Sequence, residues 1–293
     1  MSKVRIMTDS AADISLEQAA KYDIALVNFW IVVGEKSFRE NVEYTTEEFY
    51  KVMDASDELP HTSQIRVEDY LEAYEAEFNN GVTELINAVI ASIGSNSYNN
   101  ACMAKERFFK EHPDAEGKFN ITVLDSKAYT GAYGLPVMEA AKKVQKGAGA
   151  DEVIAFLKEW FDCGVIICTA FNLKYARKSG RVGCVSAFLG DALGLKPIIT
   201  FRDAVSHTEA KVRGEKAVIP QMVDYAIENM VPETPYSILD GSRPDLTEEL
   251  IKQMKKRTGY GPTEIHKVGA TIACHLGHAV SGIIIKEPNR NAK

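Results

Sequence analysis

Two short runs carry the residue types best suited to holding an anion, His61-Thr62-Ser63-Gln64 and Ser95-Asn96-Ser97. Each is a cluster of hydroxyls and amides just ahead of an amphipathic helical pattern. The second also follows the apolar run 85–90, which reads as a strand buried on both faces. A strand end that feeds a helix start is where open α/β sheets bind ligands. Helix-start amides and hydroxyl donors there suit a negative group. The expectation is that these two loops grip the head of a small anionic molecule. Taken singly, either loop is equally well explained as a helix cap worth about 1 kcal/mol.

Other chemistry-bearing groups carry less. Thr8-Asp9-Ser10 and Asp125-Ser126 follow strand-like runs and repeat the polar strand end, while Asp9 and Asp13 also suit turns or caps. Lys174, Arg177 and Lys178 lead to Gly180-Arg181, which suits an anion or a protein partner. A solvated helix face closed by a glycine is the simpler account. His275 and His278 lack further close ligands, so the pattern supports no metal site. His275 reads as a hydrogen-bonding histidine ending the apolar, strand-like run 268–274. There is no Gly-x-x-x-x-Gly-Lys-Ser/Thr, no Gly-x-Gly-x-x-Gly and no Gly-x-Ser-x-Gly, to which Gly94-Ser95-Asn96-Ser97 is the nearest approach. Nothing marks a self-contained kinase, dehydrogenase or hydrolase.

The elements that must position these groups change character along the chain. Up to about residue 150, strands (4–7, 24–33 with a break at Asn28, 85–90, 120–124) alternate with helices. The helices open at Ser15 and Thr45, both with capping-box spacing, and later ones include 131–147. On the helix after Thr62, Tyr70, Leu71, Tyr74 and Phe78 share a face, and Tyr98, Cys102, Lys105 and Phe109 trace the next, with Phe108 beside the seam. This pattern predicts a mostly parallel sheet flanked by helices over 1–160. From 161 to 293 strand-like runs (164–169, 195–201, 206–212, 236–239, 264–274, 282–286) and clustered helices predict an α+β domain with a mixed or antiparallel sheet. Arg202-Asp203-Ala204 reads as a hairpin turn. The chain has 293 residues, 45% hydrophobic and 26% charged, enough for a two-domain globular protein. A net charge of −7 argues against nucleic acid. Five scattered cysteines without Cys-x-x-Cys fit reduced thiols. No apolar stretch is long enough to span a bilayer, so the chain is read as cytoplasmic and not integral to a membrane, with transient membrane contact allowed.

As a set, the motifs resemble the DegV family, fatty-acid-binding proteins similar to the carrier subunit of bacterial fatty-acid kinase. Thr8-Asp9-Ser10-Ala11-Ala12-Asp13 resembles the family's Thr-Asp-Ser-x-x-Asp, and His61-Thr62-Ser63-Gln64 its Pro-Thr-Ser-Gln loop. Ser92 to Tyr98 resembles its Ser-x-x-Ser-Gly-Thr-Tyr, and His275-Leu276-Gly277 its His-x-Gly. The resemblance implies a long-chain fatty acid between two domains, with its carboxylate held by Thr62 and Ser95. Ser63, Asn96, Ser97 and His275 lie close to the head group, and Arg177 and Arg181 dock a separate kinase. No catalytic residue, cofactor or metal is implied. Asn96 stands where the family has glycine, His61 where proline is usual, and His278-Ala279 where Pro-Gly is common. From the residues alone, a hydrolase using Ser95 with His275, or a carrier of another apolar anion, remains open.

Overall fold

The computed structural model describes residues 3–185 and 194–289. In chain order the first elements are Val4–Asp9 (β1), Leu16–Tyr22 (α1), Ile24–Val27 (β2), Trp30–Val33 (β3), Lys36–Arg39 (β4) and Thr46–Ala55 (α2). His61–Ser63 (β5), Val67–Asn79 (α3), Glu84–Val89 (β6), Ser97–Glu111 (α4), Asn120–Asp125 (β7), Gly131–Gln145 (α5) and Ala150–Cys163 (α6) follow. Then come Gly164–Ala170 (β8), Lys174–Ser179 (α7), Leu195–Arg202 (β9), Val205–Arg213 (β10) and Val218–Asn229 (α8). Ser237–Asp240 (β11), Pro244–Thr258 (α9), Glu264–Lys267 (β12), Ala270–Leu276 (α10) and Val280–Lys286 (β13) complete the described chain.

Local chemistry sets many of these boundaries. Ser15 with Gln18 and Thr45 with Glu48 form the two capping boxes that the spacing predicts. Gly180 ends α7 in the left-handed region. Asp203 and Ala204 both take positive φ (48° and 60°), the conformation a two-residue hairpin turn requires, and they join β9 to β10.

The fold is α/β. Strands β2-β1-β6-β7 pair in parallel in that order, and a six-stranded mixed sheet runs β10-β9-β8-β13-β11-β12. Helix α5 packs on β1 of the first sheet and on β8, β11 and β13 of the second. It is accordingly buried nearly all round, from Gly131 through Ala141. Its glycines permit that closeness. A Cβ at Gly134 would collide with the carbonyl oxygen of Ala12, and one at Gly131 with the His266 ring. Helices α8 and α9 cover the other face of the mixed sheet.

Three expectations are corrected. A third, antiparallel sheet, β4-β3-β5, stands beside the parallel one. Its short strands are set by cross-strand pairing that local pattern does not reveal, so Thr62 lies in a strand, opposite Ile31. The run 264–274 is not one strand: β12 ends at Lys267, and α10 starts at Ala270. The seven residues Val268 to Cys274, apolar but for Thr271, carry no period that separates a buried strand from a buried helix. His275 therefore sits in the last turn of a helix. On α4 the buried face is Ala101, Ala104 and Phe108, one step round from the stripe through Cys102 and Phe109, because small residues let α3 lie close. Among the described residues no helix is long and apolar enough to cross a membrane.

Candidate functional site

Thr62 reaches the site because β5 pairs with β3 and α10 packs over β5. Its Oγ1 lies 2.9 Å from His275 Nε2, and no described residue pairs with His275 Nδ1. Burial, with a smaller effect from the Arg181 charge, lowers the His275 pKa to about 4, so the ring is neutral at pH 7. Arg181 follows the glycine that ends α7, and its Nη1 donates to Ser179 O at 3.1 Å. Ser179 Oγ in turn donates to His275 O at 3.2 Å. Arg181 and His275 are thus held on one small unit.

The Ser95 loop is braced from below. Asp125 accepts from Ser92 N (3.1 Å) and Ser92 Oγ (2.5 Å), while Gly94 N and Ser95 N both donate to Ala91 O. A Cβ at Gly94 would fall 2.5 Å from Tyr129 Oη, so the tyrosine ring would have to shift to admit one. Ser95 Oγ lies 2.9 Å from Ser97 Oγ and accepts from Ser97 N at 3.3 Å. Ser97 Oγ also accepts from Ile65 N at 3.1 Å, and Asn100 Nδ2 donates to Ile65 O at 2.7 Å. These bonds tie the Ser95 loop to the chain segment that carries Thr62.

Thr62, Gln64, Ser95, Asn96, Arg181 and His275 share a cavity of about 910 Å³, part of it open to solvent. The rest of its wall is largely apolar. Phe29 and Ile90 come from the first half, Ile166 (β8), Phe201 (β9) and Leu239 (β11) from the mixed sheet, and Ile272 and Leu276 from α10. A predominantly apolar cavity with a few convergent polar groups is the usual form of a small-molecule site. Ser63 is exposed and does not line it. Ser97 is fully buried behind Ser95 as a brace. Arg177 lies exposed on α7, outside the wall. Ser95 and His275 are not paired with each other, the bonded partners being Ser97 and Thr62. His278 points elsewhere, with Nε2 2.8 Å from Asp54 and Nδ1 2.8 Å from Ser242.

Sequence reasoning missed a buried acid layer behind the wall. Thr130 and Thr271 both line the cavity and turn their hydroxyls to acids. Thr130 Oγ1 lies 2.5 Å from Asp13 Oδ2, and Thr271 Oγ1 lies 2.6 Å from Glu40 Oε2. Thr271 N donates to Glu40 (2.9 Å) and Gly269 N to Asp13 (3.0 Å), while Ser10 Oγ bonds Glu40 at 2.6 Å. Burial pushes both acids above the usual carboxylate range, Asp13 furthest, with the Glu40 charge adding to that of Asp13. Asp9 is raised to about 6 by burial, although Tyr133, Ile90 and Ala11 donate to it. Asp9 and Asp13 belong to a polar strand end visible in the sequence, whereas Glu40 sits in an unremarkable hairpin exit that carries no signal.

A family profile described as an uncharacterised protein of the DegV family matches residues 3–287. The chain belongs to the DegV family. A DegV domain-containing protein of Clostridium perfringens is 26% identical over 282 residues, covering 96% of this chain and 97% of the relative. A stearic acid-binding protein from Eubacterium ventriosum has a similar structure, with a TM-score of 0.86 and 25% identity over 98% of each chain. A DegV lipid-binding protein from Thermotoga maritima matches at TM-score 0.83 and 25% identity, over 99% of this chain and all of that one. The family match therefore spans residues 3–287, and the cavity lies within that span.

Proposed function

We propose that the protein is a non-enzymatic carrier of a long-chain fatty acid. The acyl chain fills the apolar part of the cavity, and the carboxylate sits among Thr62, Ser95, Asn96 and His275. The observation that carries this reading is the Thr62–His275 pair at one cavity with Ser95, beside an apolar wall that includes Phe29, Ile90, Phe201 and Leu276. The relatives of similar structure that bind stearic acid or lipid support it.

The energetics fit. Burying about 14 methylenes at about 0.8 kcal/mol each supplies roughly 11 kcal/mol of gross transfer free energy. Association and ordering use several kcal/mol of that. An unpaired buried carboxylate would remove the rest, so the head group needs donors. Ser97 Oγ accepts from Ile65 N, and when Ser97 donates across its 2.9 Å contact with Ser95, the Ser95 hydroxyl proton is left for the ligand. His275, neutral at pH 7, donates from one ring nitrogen only.

No covalent bond to the protein forms. A carboxylate oxygen remains able to attack the terminal phosphorus of a nucleoside triphosphate held by a separate kinase, breaking the bond to the bridging oxygen so that the nucleoside diphosphate leaves and an acyl phosphate remains. Arg181 at the cavity and Arg177 on the exposed face of α7 dock that kinase. The carrier works in the cytoplasm, with transient membrane contact when it exchanges ligand.

The deciding experiment is mass spectrometry of the purified protein, native and then denatured. A released long-chain fatty acid at near-unit stoichiometry is expected. A clean apo mass that also takes up no added fatty acid would sink the reading.

A further inference from the structure

Among the described residues seven large hydrophobic side chains are exposed, and four of them, Leu16, Val42, Tyr44 and Ile265, line a single groove. Scattered exposed hydrophobics need no explanation, but a cluster rimmed by polar groups marks an interaction surface. The groove encloses about 1560 Å³, much of it open to solvent. Its walls are the start of α1, the segment leading into α2, and β12, which is the edge strand of the mixed sheet.

The walls are preformed. Both helices begin there with a closed capping box, and the Tyr44 ring stands edge-on to Phe38 at 4.8 Å. The rim is acidic: Glu17, Glu43, Glu47, Glu48 and Glu264 face it, against Lys21 and Lys267. Lys267 Nζ lies 3.1 Å from Asp240 and 3.9 Å from Glu47 and donates to Gly241 O at 2.9 Å, and Glu264 lies 3.6 Å from Lys142, which leaves Glu17, Glu43 and Glu48 against Lys21. Ser10, Asp13, Glu40 and Gly269 form the floor, the reverse side of the acid layer behind Thr130 and Thr271.

We propose that this groove docks a segment of another protein that combines apolar side chains with Lys or Arg. The four exposed hydrophobics supply the area to bury, and the glutamate rim selects cationic flanks and disfavours acidic ones. Its polarity is opposite to that of α7, whose Lys174, Arg177 and Lys178 are exposed and basic. The two faces therefore take different partners. The proposal does not depend on what the cavity holds.

The test is selection of a displayed random peptide library on the intact protein, with counter-selection on a Val42→Asp/Ile265→Asp double variant. The expected consensus pairs Leu, Ile or Phe with Lys or Arg. A synthetic peptide of that consensus should bind the double variant at least about tenfold more weakly. Glu43→Lys and Glu47→Lys should each weaken it too, and added salt should weaken it progressively. Met103→Asp, an exposed position on α4, should leave binding unchanged. No consensus, an acidic consensus, or an equal loss in Met103→Asp overturns the proposal. So does sedimentation showing that the protein self-associates through this face, with the double variant monomeric. Glu43 and Glu47 are exposed, and since Glu43 also accepts from Arg39 N at 2.8 Å, Glu47→Lys decides the matter even if the double variant is poorly folded.

Discussion

Thr62 Oγ1 and His275 Nε2 lie 2.9 Å apart across 213 residues of sequence. One side chain comes from a three-residue strand of the small antiparallel sheet, the other from the last turn of α10. Thr62→Val keeps the shape and removes the hydroxyl, leaving His275 without its partner. Loss of about 1–3 kcal/mol in ligand affinity is expected, or roughly five- to 150-fold, with the fold intact. Fatty-acid titration of the variant measures it, and an unaltered affinity would remove Thr62 from the head-group site.

The neutral state of His275 makes a pH prediction. Its folded pKa, about 4, lies below the ordinary 6.5, so the unfolded chain takes up the proton first. Stability from this residue is full above about pH 6.5 and is lost as pH falls towards 4. His275→Gln does not titrate. The stability difference between wild type and variant should stay flat above pH 7 and shift against the wild type between pH 6.5 and 4. Parallel denaturation curves throughout that window would contradict the assignment.

Arg181 acts on His275 through its charge, which lowers the pKa of the ring. Arg181→Ala should move the histidine titration upward while sparing fatty-acid binding, and should slow phosphorylation of bound ligand by an added kinase. Ring proton chemical shifts against pH test the first effect. An unmoved histidine together with a normal phosphorylation rate would leave Arg181 no role at the mouth.

Glu40 joins Ser10 to the start of α10 through bonds to Thr271 N and Oγ1. Glu40→Ala leaves two hydroxyls and one amide without their buried acceptor, and a loss of about 2–4 kcal/mol of stability is expected. Glu40→Gln retains an acceptor and should recover part of it. Because the folded pKa of the acid is raised, protonation favours the folded wild type. The gap between wild type and Gln variant should widen in favour of the wild type as pH falls. Urea denaturation at several pH values decides this, and equal stability of the Ala and Gln variants would show that hydrogen bonding at Glu40 is unimportant.

Gly134 faces the carbonyl of Ala12 so closely that any Cβ collides with it. Gly134→Ala should destabilise by about 1–3 kcal/mol, despite alanine's better helix propensity, because α5 must back away from the loop after β1. A stabilised variant would mean that α5 is not held there.

Much of this protein is present in the order of its residues. The two capping boxes, the Asp203-Ala204 turn, the glycine that ends α7 and the alternation that builds the parallel sheet are local. Each depends on side chains a few positions apart, so neighbouring residues suffice to state it. The paired loops at Thr62 and Ser95 were visible as anion-suited chemistry for the same reason. Other features came only with the tertiary structure. That 264–274 breaks into a strand and a helix depends on what packs against it, since an apolar run has no period of its own. That Ser97 braces while Ser95 faces the cavity follows from Ile65 N, 32 residues away. Glu40 looked like any surface acid in its hairpin, until folding buried it beneath Thr271, 231 positions later. Desolvation and long-range hydrogen bonding are properties of the assembled packing, and no stretch of chain contains them alone.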